Sequence, residues 1–335
     1  IVAALLGLDV PSVVASNSLL SETLFTSLVT AAILLQLEAV LRCGVDLKIA
    51  MKILIAALLI GLAILVRPIG EVLIVITPLP VIFLRRVATA KRIALGLLAV
   101  SIPLMVVAGW SYRNWEQRGA WTISTIASIN TYYYRAAGVL AYEDGRSFEQ
   151  VQSDLQQSSG DSVERLSPAM AEELGRRGRA ILRRDPGAFA IITLRGFLRA
   201  AFWVDRSGIR ALFGFAVPRD ESKSITSAKI SAVLSNPFLT LLLLVEFGII
   251  AFTWTGVGLA LWQLIISQNR NSALIIIPLF AALLLLAASA GPESYDRFRV
   301  PAMPMLALIA ASGWGERFRE NRGEPAIDIL HKKIA

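Results

Sequence analysis

Apolar residues fill most of this chain in runs that are long enough to cross a lipid bilayer as helices. Runs of about 17 to 25 apolar residues meet that length, and we count seven such runs, of which the second and third are the shortest. They cover residues 20–41, 51–66, 69–84, 93–110, 238–266, 273–290 and 300–316. The run at 1–8 is typical of the tail of an eighth span, and because the chain starts at Ile1 we expect an amino-terminal part to precede it. The pattern predicts an all-α, polytopic membrane protein with about seven to eight transmembrane helices here.

The composition agrees with a membrane protein and decides how the net charge is interpreted. Hydrophobic residues make up 55% of the chain, charged residues 17%, and the mean hydropathy is +0.62. A net charge of +8 is compatible with a nucleic-acid partner, but in a polytopic protein basic residues mark cytoplasmic loops. Here they fall in alternate short connections and after the last span, at Arg42 and Lys48, Arg85 to Arg92, Arg270, and 317–335. We therefore predict a multi-pass protein of the bacterial inner membrane that binds no nucleic acid.

Because successive helices cross the membrane in opposite directions, the chain divides into four parts. Residues 1–110 carry the first spans, 111–237 form a large extracytoplasmic loop, 238–316 carry the last spans, and 317–335 are a basic cytoplasmic tail. The loop has charges of both signs, which the topology permits because long loops translocate largely regardless of charge. The predicted site for chemistry therefore faces the periplasm or the exterior.

Local signals predict elements inside the large loop. Residues 145–164 are rich in Ser, Gln and Asp and predict a solvated segment. Ser167 is a typical N-cap with Pro168 at the first helical position, and the Asp185-Pro186 pair should end that helix. The stretch 187–204 places arginines four residues apart among Phe and Leu, which predicts an amphipathic helix lying in the membrane interface.

The sequence "ESYDRFRVP" places charge between two apolar runs. Anchoring at a membrane boundary needs one or two basic or aromatic groups and gives no reason for carboxylates beside them. Because the residue before a proline is pushed toward extended conformations, we predict that the segment before Pro301 is extended, with Tyr295, Arg297 and Arg299 on one side. Two guanidinium groups directed together suit a phosphate oxyanion. With Glu293, these residues are predicted to form a phosphate-handling rim at the mouth of a membrane cavity.

Two further outward residues each allow two interpretations. Glu22 enters a helix just after an outer loop, where a carboxylate complements the helix dipole; a site role is the alternative. Arg67, with Glu71, flanks a Pro-Gly break. Its side chain can extend to the headgroups, or it can hold a phosphate at the outer end of a helical hairpin.

Five short motifs occur in an order and spacing that resemble one family. They are "SNSLLSETLFTSL", "GLAILVRPIG", "RNWEQRGAW", "RRDPGAF" and "DRFRVPAMPMLALIAASGW". Together they resemble the carboxy-terminal two-thirds of bacterial polyprenyl-phosphate-dependent glycosyltransferases with the GT-C fold, the relatives of protein mannosyltransferases and lipid A aminoarabinose transferases. Each motif is short, so the resemblance depends on their order.

The resemblance implies a membrane enzyme that moves a sugar, with inversion, from a polyprenyl-phosphate donor to a hydroxyl of a lipid, protein or glycan acceptor. It also implies that the principal acidic residue of the site lies upstream of this chain. Glu22 matches the position of a second acidic residue in such enzymes. Such an attack needs a carboxylate base and stabilisation of the leaving phosphate. Any metal ion would be held mainly by oxygen groups, which suits Mg²⁺ or Mn²⁺.

A transporter or flippase for a lipid-linked or anionic substrate is the alternative function. In that case the same arginines would line a translocation path. Glu246, inside the apolar run "LLLLVEFGII", is the residue that favours transport. The clustering of the other charges at the outer boundary favours the transferase.

Overall fold

The regular elements in the described part of this protein are helices, as the hydrophobic pattern predicts. The computed structural model describes residues 1–9, 11–13, 21–41, 47–84, 87–158, 167–203, 237–267, 272–294 and 296–321, and within these ranges every regular element is helical. Of the predicted parts, most of the tail and residues 204–236 of the large loop lie outside the described residues.

The first part of the bundle contains two long antiparallel helices and a third that extends past them. Its elements are α1 (Val2–Leu8), α2 (Ser21–Leu41), α3 (Leu47–Val66), a long 3₁₀ helix (Pro68–Ile76), α4 (Leu79–Phe83) and α5 (Thr89–Arg118). Ion pairs join α2 to the α3 region at both ends, Glu22 with Arg67 and Glu38 with Lys52. We call the first of these the Glu22 end and the second the Lys52 end.

The segment after α5 folds into short helices that pack on one another. They are α6 (Ile126–Asn130), a π-helix (Thr131–Ala136), α7 (Ala137–Asp144), α8 (Phe148–Ser158), α9 (Pro168–Arg184) and α10 (Pro186–Phe202). The predicted start of α9 is confirmed, because Ser167 Oγ accepts a hydrogen bond from the Met170 N–H at 3.2 Å. Asp185 ends α9 and caps α10, accepting from the Ala188 N–H at 2.8 Å.

The prediction of a solvated loop over 145–164 is wrong for the part that forms α8. Ser147 and Gln150 make a reciprocal capping box at its start: Ser147 Oγ accepts from the Gln150 N–H, and Gln150 Oε1 accepts from the Ser147 N–H, both at 3.2 Å. Such a box satisfies two backbone donors that a helix start otherwise leaves unpaired. Val151 is buried against the neighbouring helix, which gives the polar segment one apolar anchor.

The last elements complete the bundle. They are α11 (Pro237–Ser267), α12 (Ser272–Ala288), a 3₁₀ turn (Asp296–Arg299) and α13 (Met303–Asn321). The final helix begins at Met303, with Pro304 in its first turn. α11 and α13 approach closely, because a Cβ on Gly256 would lie only 2.6 Å from the Trp314 ring. Small residues at such crossings are typical of membrane helices.

Four helices of the described residues are long and apolar enough to cross a membrane, which supports a helical membrane protein. They are α2, α3, α5 and Thr240–Ile266 of α11. Three further predicted spans correspond to shorter apolar helices, Pro68–Phe83, Ser272–Ala288 and Met303–Gly315. The count of seven to eight spans stays a prediction. A 3₁₀ helix rises about 2.0 Å per residue against about 1.5 Å for an α-helix, so Pro68–Ile76 lengthens the first of these short segments.

The helix α10 has an exposed apolar face next to the membrane helices. Leu194, Leu198 and Phe202 are all exposed and follow one another at four-residue spacing. Its end contacts α11, where the Phe202 and Trp254 rings lie 4.8 Å apart between centroids. This face fits the predicted interfacial helix, which stays a prediction.

Candidate functional site

A small crevice opens at the Glu22 end, where the start of α2, the long 3₁₀ helix, the end of α12 and the 3₁₀ turn meet. Its lining combines one carboxylate and two guanidinium groups with apolar side chains: Glu22, Arg67, Ile69, Leu285, Ser289, Arg297, Phe298 and Pro301. The volume is about 10 Å³, which is room for one water molecule. Three of the residues singled out from the sequence therefore converge here from distant parts of the chain.

Glu22 is the centre of this charge cluster. It lies in the first turn of α2 with only 6% of its surface exposed. Its Oε1 is ion-paired with Arg67 Nη1 and lies 3.9 Å from Arg297 Nη2. The helix dipole alone therefore does not account for the setting of Glu22, and its role in a site stays a prediction.

Arg67 reaches Glu22 because the chain turns sharply between α3 and the long 3₁₀ helix. Arg67 is extended, with φ −142° and ψ 116°, as expected for a residue before proline. Two residues into the next helix, Gly70 packs against Phe25 of α2, where a Cβ would lie 3.0 Å from the ring. This contact keeps the 3₁₀ helix close to α2 and the Arg67 side chain beside Glu22.

The segment before Pro301 is not extended, and the predicted convergence of Arg297 and Arg299 is wrong. Residues Asp296–Arg299 form a 3₁₀ turn whose carbonyls accept from later N–H groups: Arg297 O from Val300 at 3.1 Å and Arg299 O from Ala302 at 2.8 Å. With three residues per turn, side chains two positions apart point in different directions. Proline restricts Val300, its own neighbour, and leaves the preceding residues free to turn.

Arg299 points into the bundle and is 1% exposed. Its Nη2 donates to Asp9 Oδ1 at 3.0 Å and to Glu246 Oε1 at 3.5 Å, and its Nη1 donates to the Trp203 carbonyl at 3.0 Å. We call Asp9, Glu246 and Arg299 the buried triad. Arg299 therefore takes no part in the crevice lining, while Arg297, whose side chain is 56% exposed, does.

Glu293 also lies away from the crevice lining, in the loop 289–294 between α12 and the 3₁₀ turn. Ser294 shapes this loop, since its Oγ accepts from the Gly291 N–H and donates to the Ser289 carbonyl, both at 2.7 Å. Glu293 Oε2 is buried and makes no hydrogen bond. Burial raises the pKa of Glu293, while its own backbone N–H and then the Arg135 charge oppose that shift.

The short helices after α5 contact both the end of α12 and this loop. Arg135 Nη2 in the π-helix donates to the Ala288 carbonyl at 2.8 Å, and Arg199 Nη1 in α10 donates to the Pro292 carbonyl at 3.0 Å. A Cβ on Gly138 would clash with Pro292, and one on Gly196 would clash with the Gly291 backbone. The loop therefore packs directly against the backbones of two helices.

Several residues of this region were not predicted from the sequence, and one predicted residue lies outside the described residues. Tyr295, predicted on the rim, is outside the described residues. Asp9 was not predicted, because nothing near it in the sequence signals a partner in the last quarter of the chain. No local pattern in the sequence predicts that Arg135 binds the end of α12 or that Arg199 binds the loop that follows it. In the part of the chain that the structure describes, no three His, Cys, Asp or Glu residues are grouped to hold a metal ion.

Comparison of the chain with protein-family models, with curated proteins and with solved structures gives no match.

Proposed function

We propose that this protein is a membrane glycosyltransferase that moves a sugar from a polyprenyl-phosphate donor to an acceptor hydroxyl, with inversion. The observation that carries the proposal is the cluster of Glu22, Arg67 and Arg297 at the crevice. It combines the two kinds of group that such a transfer needs, a carboxylate base and cations for the leaving phosphate. The motif order in the sequence supports the same reaction class.

We further propose that the Glu22 end faces the periplasm or exterior of a bacterial inner membrane, in a bundle of seven to eight spans. The supporting observation is the position of the basic residues at the other end. Lys91 and Arg92 lie at the start of α5, and Arg317 lies near the end of α13. Basic residues are enriched on the cytoplasmic side of membrane proteins, which leaves the Glu22 end for the opposite side.

In the proposed mechanism Arg67 and Arg297 bind the donor phosphate. The crevice has room for one water molecule, so a phosphate enters only if side chains turn outward. The side chain of Arg297 is 56% exposed, so solvent is available on the side to which it would turn. Guanidinium groups bind phosphate oxygens in a planar fork and stabilise the charge that grows as the bond to the sugar breaks.

Binding of the phosphate would also release Glu22. When Arg67 turns toward the phosphate, the Glu22 carboxylate loses its partner and can accept the proton of the acceptor hydroxyl. The acceptor oxygen then forms a bond to the anomeric carbon while the bond from that carbon to the phosphate oxygen breaks. The electron pair of the broken bond stays on the polyprenyl phosphate. The described residues include no group of three His, Cys, Asp or Glu that could hold Mg²⁺ or Mn²⁺.

Transport gains no support from the arrangement. Glu246, the residue that favoured it, is fully buried and ion-paired with Arg299. It belongs to none of the groups that line the crevice.

The test uses the full protein in lipid, with undecaprenyl phosphate carrying one of a panel of labelled sugars and bacterial membranes as the source of acceptor. We expect transfer of label from at least one donor, with release of undecaprenyl phosphate. Glu22→Gln should lower the rate at least about tenfold. Glu38→Gln, which alters a carboxylate at the other end of the same helix, should leave it near wild type. Absence of transfer from every donor, or equal rates for the two variants, would contradict the proposal.

A further inference from the structure

The buried triad joins three distant parts of the chain. Asp9 follows α1, Glu246 lies in α11, and Arg299 closes the 3₁₀ turn, while the Trp203 carbonyl at the end of α10 accepts the third hydrogen bond from Arg299. All three charged side chains are almost completely inaccessible: Asp9 and Glu246 are 0% exposed and Arg299 is 1% exposed. The turn is therefore fixed from three sides through one guanidinium group.

Stability alone is a poor explanation for this triad. Removing charges from water costs several kcal/mol per ion, and replacing a buried ion pair or triad by apolar residues of similar size is often neutral or stabilising by about 1–4 kcal/mol. The best attested benefit of such groups is that they specify one arrangement of the elements they join. Here the triad would specify how the 3₁₀ turn is rotated about its own axis.

The rotation of the 3₁₀ turn determines where the Arg297 side chain lies. Arg297 and Arg299 are separated by one residue in a helix of three residues per turn, so their side chains leave the axis roughly 120° apart. If Arg299 is held inside the bundle, Arg297 must face the crevice, where its Nη2 lies 3.9 Å from Glu22 Oε1. A rotation of the turn would move both side chains together.

We propose that the buried triad is a positioning device for Arg297: Asp9 and Glu246 hold Arg299, and Arg299 sets the 3₁₀ turn so that Arg297 reaches the leaving phosphate. The inference rests on the proposed transferase function for its effect on rate, but the positional part is independent of it. None of the three residues touches the reacting atoms. Their influence would pass entirely through the backbone of residues 296–299.

The main test replaces the whole triad by apolar residues, with Asp9→Leu, Glu246→Leu and Arg299→Met combined, so that no buried charge is left unpaired. We expect this variant to fold with a Tm close to wild type, and its kcat to fall about tenfold to hundredfold, since a displacement of about 1 Å can cost that much. KM for the donor should rise as well, because Arg297 also binds the donor phosphate before the bond to the sugar breaks. Glu38→Gln with Lys52→Met is the matched control, because it removes an ion pair at the opposite end.

A mutant cycle with Arg297 then separates positioning from a general structural role. In the wild-type background Arg297→Ala should lower kcat about tenfold to hundredfold. In the triad-free background the same change should cost about threefold or less, because the group is already misplaced. An equal loss in both backgrounds overturns the inference, as does a triad-free variant with wild-type kcat. If that variant fails to fold, Glu246→Gln, which keeps the Asp9 pair, should show a smaller loss in the same direction, and no loss overturns the inference.

A second readout needs no activity. A nitroxide on Arg297→Cys, with Cys43 replaced, should give a restricted spectrum when the triad is intact and a mobile one in the triad-free background. A label at the exposed Ser158 of α8 should not change. Identical spectra at position 297 in both backgrounds would overturn the positioning inference even if transfer is observed. Absence of transfer by the wild-type protein, with the spectral change present, would instead overturn the proposed function.

Discussion

Gly196 of α10 packs directly against the backbone of Gly291, in the loop that connects α12 to the 3₁₀ turn. A Cβ on Gly196 would clash with the Gly291 carbonyl and lie 2.5 Å from its nitrogen. Backbone atoms cannot move aside as a flexible side chain can. The contact therefore transmits the position of α10 to the loop that leads into the proposed site.

Gly196→Ala should disturb this contact although alanine is the better helix former. The loop has to move, so we expect a lower Tm and a lower rate of sugar transfer. Gly109→Ala in α5 is the control, since nothing lies within 4 Å of a Cβ there, and it should be neutral or stabilising by up to about 1 kcal/mol. Thermal unfolding in detergent measures both. A Gly196→Ala protein as stable and as active as Gly109→Ala would show that the loop position is not critical.

The proposed orientation predicts which residues react from outside the cell. With Cys43 replaced, a cysteine at Ser158, in exposed α8, should react with an impermeant thiol reagent in intact cells. A cysteine at Ala88, just before α5 at the Lys52 end, should react only after the membrane is opened. The reverse labelling pattern would place the Glu22 end in the cytoplasm and remove the proposed access to an extracytoplasmic donor.

Local signals predicted much of the helical framework, while contacts between distant residues escaped prediction. The start and end of α9 follow from Ser167, Pro168 and Asp185, which act on their own neighbours. The spacing of Ser147 and Gln150 is a local signal for the start of α8. The polar composition of residues 145–164 instead predicted a solvated segment. The direction of Arg299 could not be read locally, because its partners come from the first and third quarters of the chain.

Arg297 and Arg299 should differ in what their removal costs. Arg299→Ala leaves two buried carboxylates without their cation, and we expect about 3–5 kcal/mol of destabilisation. Arg297 is largely exposed, so Arg297→Ala should change the free energy of unfolding by less than about 1 kcal/mol while lowering transfer about tenfold to hundredfold. Arg297→Lys should restore part of the rate, because an ammonium keeps the charge but loses the planar fork. Full rescue by Lys would indicate a headgroup anchor, not a phosphate ligand.

Two carboxylates outside the membrane-spanning helices should give opposite pH dependences. Burial raises the pKa of Glu293 above its ordinary value of 4.5. The folded state therefore favours the protonated form, and the stability this group contributes is full below about pH 4.5 and is lost as pH rises through the raised pKa. Hydrogen bonds from Arg176 and then Arg177 lower the pKa of Glu173 to about 2. Its contribution is present above the ordinary value and is lost as pH falls toward that pKa.

Replacing either glutamate by glutamine removes its titration. The difference in Tm from wild type then shows in which direction that carboxylate makes stability depend on pH. Relative to wild type, Glu293→Gln should raise Tm at neutral pH and lose that advantage as the pH approaches 4, because the wild-type side chain is then protonated as well. Glu173→Gln should lower Tm at neutral pH, and the difference should shrink toward pH 2. Measuring both variants in one detergent across the same pH series cancels titrations common to all samples. A Glu293→Gln protein less stable than wild type at neutral pH would show that attraction to Arg135 outweighs the cost of burying the charge.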